Sequence, residues 1–121
     1  MVLITINKVK RLLYLNYIGH VKASELKEER CSGKALLAEL PAGIKVLADL
    51  SRLESMDAES TVEIGKMMEM CDEKGVEIVV RVIPDPSKDI GFSILSMFHY
   101  KKRIRSVTCE TLDEAGKALE L

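Results

Sequence analysis

The sequence has little that would mark it for a demanding environment or for metal chemistry. Eighteen Lys and Arg stand against nineteen Asp and Glu, a formal net charge of -1, so there is no basic field to attract nucleic acid as a bulk partner. No apolar run approaches the ~20 residues that a membrane-spanning helix needs. The first residues, MVLITINKVKRLLYL, lack the charged, apolar, then small-residue layout of a secretory leader. Cysteines are few, odd in number and far apart: Cys31, Cys71 and Cys109. They fit reduced structural thiols in a cytoplasm better than a disulfide framework or a zinc site. The two histidines, His20 and His99, have no Cys, Asp or Glu at ligand spacing, so each reads as a surface or satisfied side chain, and no metal or cofactor is expected. Repeats and low-complexity tracts are missing too. What is left is an ordinary soluble composition, 47% hydrophobic and 31% charged, in a chain whose length fits one domain over residues 1–121 with a real core.

The most organised stretch is Lys45 to Gly75, KVLADLSRLESMDAESTVEIGKMMEMCDEKG. Lys45–Leu50 reads as an apolar strand and Ser51–Ala58 as a polar turn. Ser60–Lys74 then reads as an amphipathic helix, with Ile64, Met67, Met68 and Cys71 at three- and four-residue spacing on one face. Gly75 stands where a left-handed helix stop suits a residue without a Cβ. A second apolar strand, Val76–Ile83, follows at once. The pattern predicts two adjacent parallel strands joined by the helix in a right-handed crossover, and such units present their working groups at the strand-to-helix turn.

Before this unit, Val2–Ile6 and Leu12–Ile18 read as a strand hairpin around Asn7 and Lys8. Ala23–Leu40 reads as a helix capped by Ser24, with Leu26, Ala35, Leu36 and Leu40 inward and a weak or kinked middle at Ser32 and Gly33. After it, Pro84–Ser87 cannot continue a strand. Asp89–Tyr100 reads as a helix apolar on more than one face, and Arg103–Cys109 as a basic strand with Ile104 and Val107 inward. Thr111 and Glu114 have the layout of a capping box that opens a last helix. Alternating strands and helices predict an α/β layer structure, with a mixed, partly parallel sheet of about five strands and about four helices.

A hydrophobic strand ending in Asp49-Leu50, an aspartate (Asp57) at the next helix start, the strand Gly75-Val76-Glu77-Ile78-Val79-Val80 and the closing Thr111-Leu112-Asp113-Glu114-Ala115 helix together resemble the STAS domain. That family includes anti-anti-sigma factors, sulfate-transporter tails and stand-alone bacterial regulators. The likeness runs from about Leu12 to Leu119. In regulatory members the turn reads Asp-Ser-Ser/Thr-Gly, and its first serine is phosphorylated by a partner anti-sigma kinase. The matching positions here are Asp57, Ala58, Glu59 and Ser60, so the phosphoacceptor position carries no hydroxyl. Either Asp57 and Glu59 imitate a phosphorylated turn or the kinase switch is absent. The loop at Pro84–Ser87 and the apolar helix after it resemble a divergent branch, part of which is described as similar to lipid-binding Sec14 domains.

The resemblance implies a non-enzymatic cytoplasmic regulatory domain that docks a protein partner through Ser55, Asp57, Ala58, Glu59, Ser60 and Glu63, and it allows a homodimer. The competing reading is a small-molecule or lipid-binding module with an apolar pocket under the 89–100 helix. There Phe92, Leu95 and Phe98, with the basic residues Lys101, Lys102 and Arg103, would meet a ligand or an anionic membrane. Six apolar residues, Ile90, Phe92, Ile94, Leu95, Met97 and Phe98, are too many for one face of so short a helix. Asp57, Glu59 and Glu63 read as first-turn helix acids rather than as an acid cluster for metal or proton work, because no second acidic or histidine cluster completes a site. Asp49 is not read as a receiver-type phosphoacceptor, since Asn7 and Lys8 stand where that chemistry needs an acidic pair. No nucleophile–base pair can be assembled from sequence spacing, which disfavours an enzyme.

Overall fold

Val2–Asn7 (β1) and Leu12–Val21 (β2) form an antiparallel hairpin in a computed structural model that describes residues 1–85, 87, 89–101 and 104–121, with Ile90 by its backbone alone. The chain continues through Ala23–Ala38 (α1), Lys45–Met56 (β3), Ser60–Lys74 (α2), Ile78–Val82 (β4), Asp89–His99 (α3), Arg105–Cys109 (β5) and Leu112–Ala118 (α4). The five strands lie in one sheet in chain order, β1-β2-β3-β4-β5. β2, β3, β4 and β5 are mutually parallel. The sheet is therefore mixed and partly parallel, as the alternation of elements predicts.

Because the strands advance in one direction across the sheet, crossovers of one hand place their helices on one side. Leu26 and Leu37 of α1, Ile64, Met67, Met68 and Cys71 of α2, and Phe92 and Leu95 of α3 all pack on the face that also holds Leu13, Leu15, Val46, Ala48 and Val79. α4 follows the last strand and crosses nothing. It covers the other face, where Ala115 and Leu119 meet Leu12, Leu47, Ile78, Val80 and Val82. The period-two alternation along β3 and β4 sorts neighbouring residues between the two cores.

Several boundaries differ from the sequence reading. β3 does not stop at Leu50; it runs through most of the predicted Ser51–Ala58 turn to Met56. β2 passes through Gly19 to Val21, while β4 is shorter than Val76–Ile83. α1 is not capped by Ser24. Lys22 occupies the N-cap with extended backbone, and its N–H donates to Glu25 Oε1 at 3.3 Å. The buried stripe of α1 is Leu26, Gly33 and Leu37, followed by Leu40; Ala35 is exposed. Ser32 and Gly33 lie within one uninterrupted helix. A Cβ at Gly33 would lie 3.1 Å from Ile4 Cδ1 and 3.6 Å from Met70 Cε, so this glycine is the point of close approach among α1, β1 and α2. At α4 half of the expected capping box forms. Thr111 Oγ1 accepts from the Glu114 N–H at 3.2 Å, but the Glu114 carboxylate takes the N–H of Glu110 at 3.3 Å, one residue before the cap.

Gly75 ends α2 with φ +80, the left-handed stop expected of it. Ile104 packs against the face that carries three helices, and Val107, three residues on, against the α4 face.

Candidate functional site

The ends of β2 and β3 project together beyond β4, because β4 pairs with β3 only as far as Asp49. There His20 lies opposite Ser55 and Val21 opposite Met56. His20 Nδ1 is 2.7 Å from Ser55 Oγ, and its Nε2 is 2.9 Å from Asp57 Oδ1. The structure thus assembles a serine–histidine–aspartate chain that sequence spacing could not show, since His20 and Asp57 are 37 residues apart. All three side chains reach solvent. The second oxygen of Asp57, Oδ2, accepts from the Ala23 N–H at 3.2 Å and so caps α1. That backbone hydrogen bond, and then the one from His20, hold the Asp57 carboxyl below the usual carboxylate range. His99 also has an acidic partner, Glu69, at 2.7 Å.

After Asp57 the turn exposes Ala58 and Glu59. The first N–H groups of α2 do not open toward solvent: those of Ser60, Thr61 and Val62 donate to the carbonyls of Asp57, Ala58 and Glu59 at 3.0, 3.4 and 3.2 Å. The helix start is closed by its own backbone, with acids around it, which is no cradle for an added anion. Ser60 does not cap the helix. It is 1% exposed, and its Oγ has no hydrogen-bond partner. Glu63 is turned inward, 3.2 Å from Arg30 of α1 and 3.6 Å from Lys66, so it braces α2 against α1.

Two sets of predicted residues meet here. A groove of about 140 Å3 between the starts of α2 and α3 is lined by Asp57, Ser60, Thr61, Ile64, Phe92 and Leu95, among others. Phe98 is not part of it. With Ile94 and Met97 it forms an exposed stripe on α3, at 71%, 50% and 81% exposure, so the prediction that α3 cannot hide its apolar residues holds for these three. Lys101 is exposed, and its N–H donates to Asp72 Oδ1 at 3.0 Å. Lys102 and Arg103 lie outside the described residues, as does the side chain of Ile90.

Under α3 there is an apolar cavity, bounded by Leu15, Tyr17, Met68, Cys71, Phe92 and Tyr100, with Arg81 in its wall. Its free volume is about 40 Å3, room for on the order of a few waters rather than for an acyl chain. Burial pushes the Cys71 thiol beside it up to about 12, so it is an inert core thiol. Arg81 escaped the sequence reading. It sits within Ile78-Val79-Val80-Arg81-Val82-Ile83, where a charge inside an apolar strand is itself a signal. Among the described residues no group of His, Cys, Asp and Glu could hold a metal ion, and no helix is long and apolar enough to cross a membrane.

A five-stranded mixed sheet with three helices on one face and a short fourth helix on the other defines the STAS-like α/β class. Solved structures with this fold include an uncharacterised protein of the DUF3478 family with a SpoIIAA-like fold from Shewanella loihica PV-4. It is 13% identical over 98% of this chain and 92% of its own, with a TM-score of 0.73. The anti-sigma factor antagonist SpoIIAA in its unphosphorylated form is 13% identical over 99% of this chain and 98% of its own, TM-score 0.65. The Bacillus cell fate determinant SpoIIAA in the phosphorylated form is 12% identical over 98% and 99%, TM-score 0.67. At such identities the likeness is one of fold. No family model matches the chain, and no curated protein is similar to it in sequence.

Proposed function

We propose that this chain is a non-enzymatic, cytoplasmic regulatory domain that docks a protein partner with the turn from Ser55 to Ser60 and the adjoining side of α2. The observation that carries the reading is the groove beside Asp57, with Ala58 and Glu59 exposed at the turn. The apolar side chains of Ile64, Phe92 and Leu95 supply contact area. Glu63 serves the surface from behind, by fixing α2 on α1. The SpoIIAA fold supports a regulatory role, while Ala58 at the position that matches the family's phosphoserine argues for docking without that switch. The exposed serine–histidine–aspartate chain is read as a structural tie among β2, β3 and α1, for two reasons. It lies open to solvent, and the neighbouring N–H groups at the start of α2 are already bonded to the turn's own carbonyls, so they offer no oxyanion site.

A photo-crosslinking residue at position 59, compared with one at position 113 on α4, tests this. Mass spectrometry should recover a discrete partner from position 59 alone. The same proteins from both positions, or none from position 59, would count against partner docking at the turn.

The stripe of Ile94, Met97 and Phe98 and the apolar cavity beneath α3 favour a second reading, a module for a small apolar ligand or a lipid. In this conformation the cavity is too small for such a ligand, so its entry requires α3 to shift.

A further inference from the structure

Arg81 is the one cation buried among the described residues, at 5% exposure. Its position on β4 aims it at the face beneath α3, and its register partner on β5 is Thr108. The guanidinium Nε donates to Asp89 Oδ1 at 2.9 Å, and a terminal nitrogen donates to Ser106 Oγ at 2.9 Å. The other terminal nitrogen lies 3.4 Å from Ser93 Oγ and 3.5 Å from Thr108 Oγ1. Asp89 Oδ2 accepts from Thr108 Oγ1 at 2.8 Å and from Ser93 Oγ at 3.1 Å. Three donors thus converge on one carboxylate. Two of them, Arg81 and Thr108, belong to central and edge strands of the sheet, and Ser106 steadies the guanidinium from the same strand as Thr108. The carboxylate itself is brought in by the first residue of α3.

A guanidinium held by hydroxyls on a rigid sheet is a receptor for an oxyanion. Arg81 also lines the apolar cavity, beside Leu15, Tyr17, Met68 and Tyr100. We propose that Arg81 and Thr108, with Ser106 behind them, form the head-group site for a carboxylate on an apolar tail, and that Asp89 occupies it as a built-in substitute. A ligand enters by exchanging its carboxylate for that of Asp89, which frees the start of α3 and lets the tail widen the cavity. The site is closed in this structure because the internal carboxylate is tethered and competes at the high effective concentration of an intramolecular group. This inference rests on the second reading above, an apolar ligand beneath α3, and is independent of partner docking at the turn.

The test uses the full chain, Asp89→Ala, and three probes: decanoate, decanol and acetate. Removing the internal carboxylate should let decanoate bind about tenfold or more tighter than to the unaltered protein, with a saturable rise in melting temperature. Decanol and acetate should each bind far more weakly than decanoate. In Asp89→Ala combined with Arg81→Met, decanoate should lose its advantage over decanol. If decanol matches decanoate in the single variant, the cavity accepts apolar ligands but Arg81 is no head-group site, and the inference fails while the reading beneath it stands. If no probe binds a folded Asp89→Ala chain, both fail. Asp89→Asn, which keeps the side-chain shape, is run alongside. Should neither variant fold even with saturating decanoate, Asp89 is a structural counter-ion and the inference is overturned.

Discussion

Asp57 is engaged at each of its polar atoms. Its N–H donates to the Val21 carbonyl and its own carbonyl accepts from Ser60, while its carboxylate divides between Ala23 and His20. A carboxyl held below its ordinary range contributes stability above that range, and the contribution is lost as pH falls through the lowered value. Asp57→Asn should therefore melt below the unaltered protein near neutrality, and the gap should close as pH drops below about 4. Thermal melts of the two proteins across pH would show it, and a gap independent of pH would refute the account. The same turn leads to a second expectation. Ala58 has no oxygen to modify, Ser60 is buried, and Ser55 is bonded to His20. Incubation with an anti-sigma-type kinase should leave no phosphate between Ser55 and Thr61 by mass spectrometry; a stoichiometric phosphate on Ser60 would restore a shifted switch. Asp57 was legible in the turn at the start of the next helix, but its partners at positions 20 and 23 were not, because they arrive through the sheet rather than by local spacing. The Arg81 network was half legible: the charge in an apolar strand stood in plain sight, while its counter-ion, eight residues on, lay beyond a proline loop.

At the scale of elements, the central strand–helix–strand unit follows from apolar periodicity, and the sheet places β3 and β4 side by side and parallel. The polar run Ser51 to Ser55 misled the reading of β3. A strand that extends past one neighbour is buried only so far as it is covered, so polar residues tolerate the strand conformation there. β3 is buried as far as Leu50 and mostly open beyond it. α3 reads correctly as a helix, and its attachment is where it can be probed. A Cβ on Gly65 of α2 would stand 2.6 Å from His99 Nε2, too close to coexist with the 2.7 Å bond between His99 and Glu69. In Gly65→Ala the gain in helix propensity, about 1 kcal/mol, is set against displacement of the end of α3. Hydrogen exchange should speed up in α3 and not in α2. Unchanged exchange in α3 would mean that His99 moves aside freely.

For the whole molecule, the two sides of the sheet are covered unequally, and the more heavily covered side also carries the exposed stripe on α3. Phe98 is mostly in solvent, so Phe98→Asp should change stability by no more than about 0.5 kcal/mol. If the stripe is a contact face, the variant should abolish self-association in light scattering or flotation with anionic liposomes at low and high salt. An unaltered protein that is monomeric and ignores liposomes would make the stripe bare surface. The overall class was readable because fold class depends on periodicity and the order of elements. The stripe's occupant was not, because it depends on what lies outside the chain.

The chain-order arrangement of the strands also bears on how the molecule forms. Each strand pairs with the next strand of the chain, so no pairing waits for a strand made out of order. Three of the four pairings are parallel, however, and each spans a helix, as from Leu12 to Lys45 and from Lys45 to Ile78. Each of these closes a long loop before it is rewarded, and folding is slow for the chain's size. During synthesis the sheet can grow at one edge, with β1 to β3 and α1 already assembled while β5 and α4 are still being made. The elements that complete the Arg81 site, α3 and β5, then arrive late, so the protein acquires its internal carboxylate only after β1 to β4 and the first two helices have been made.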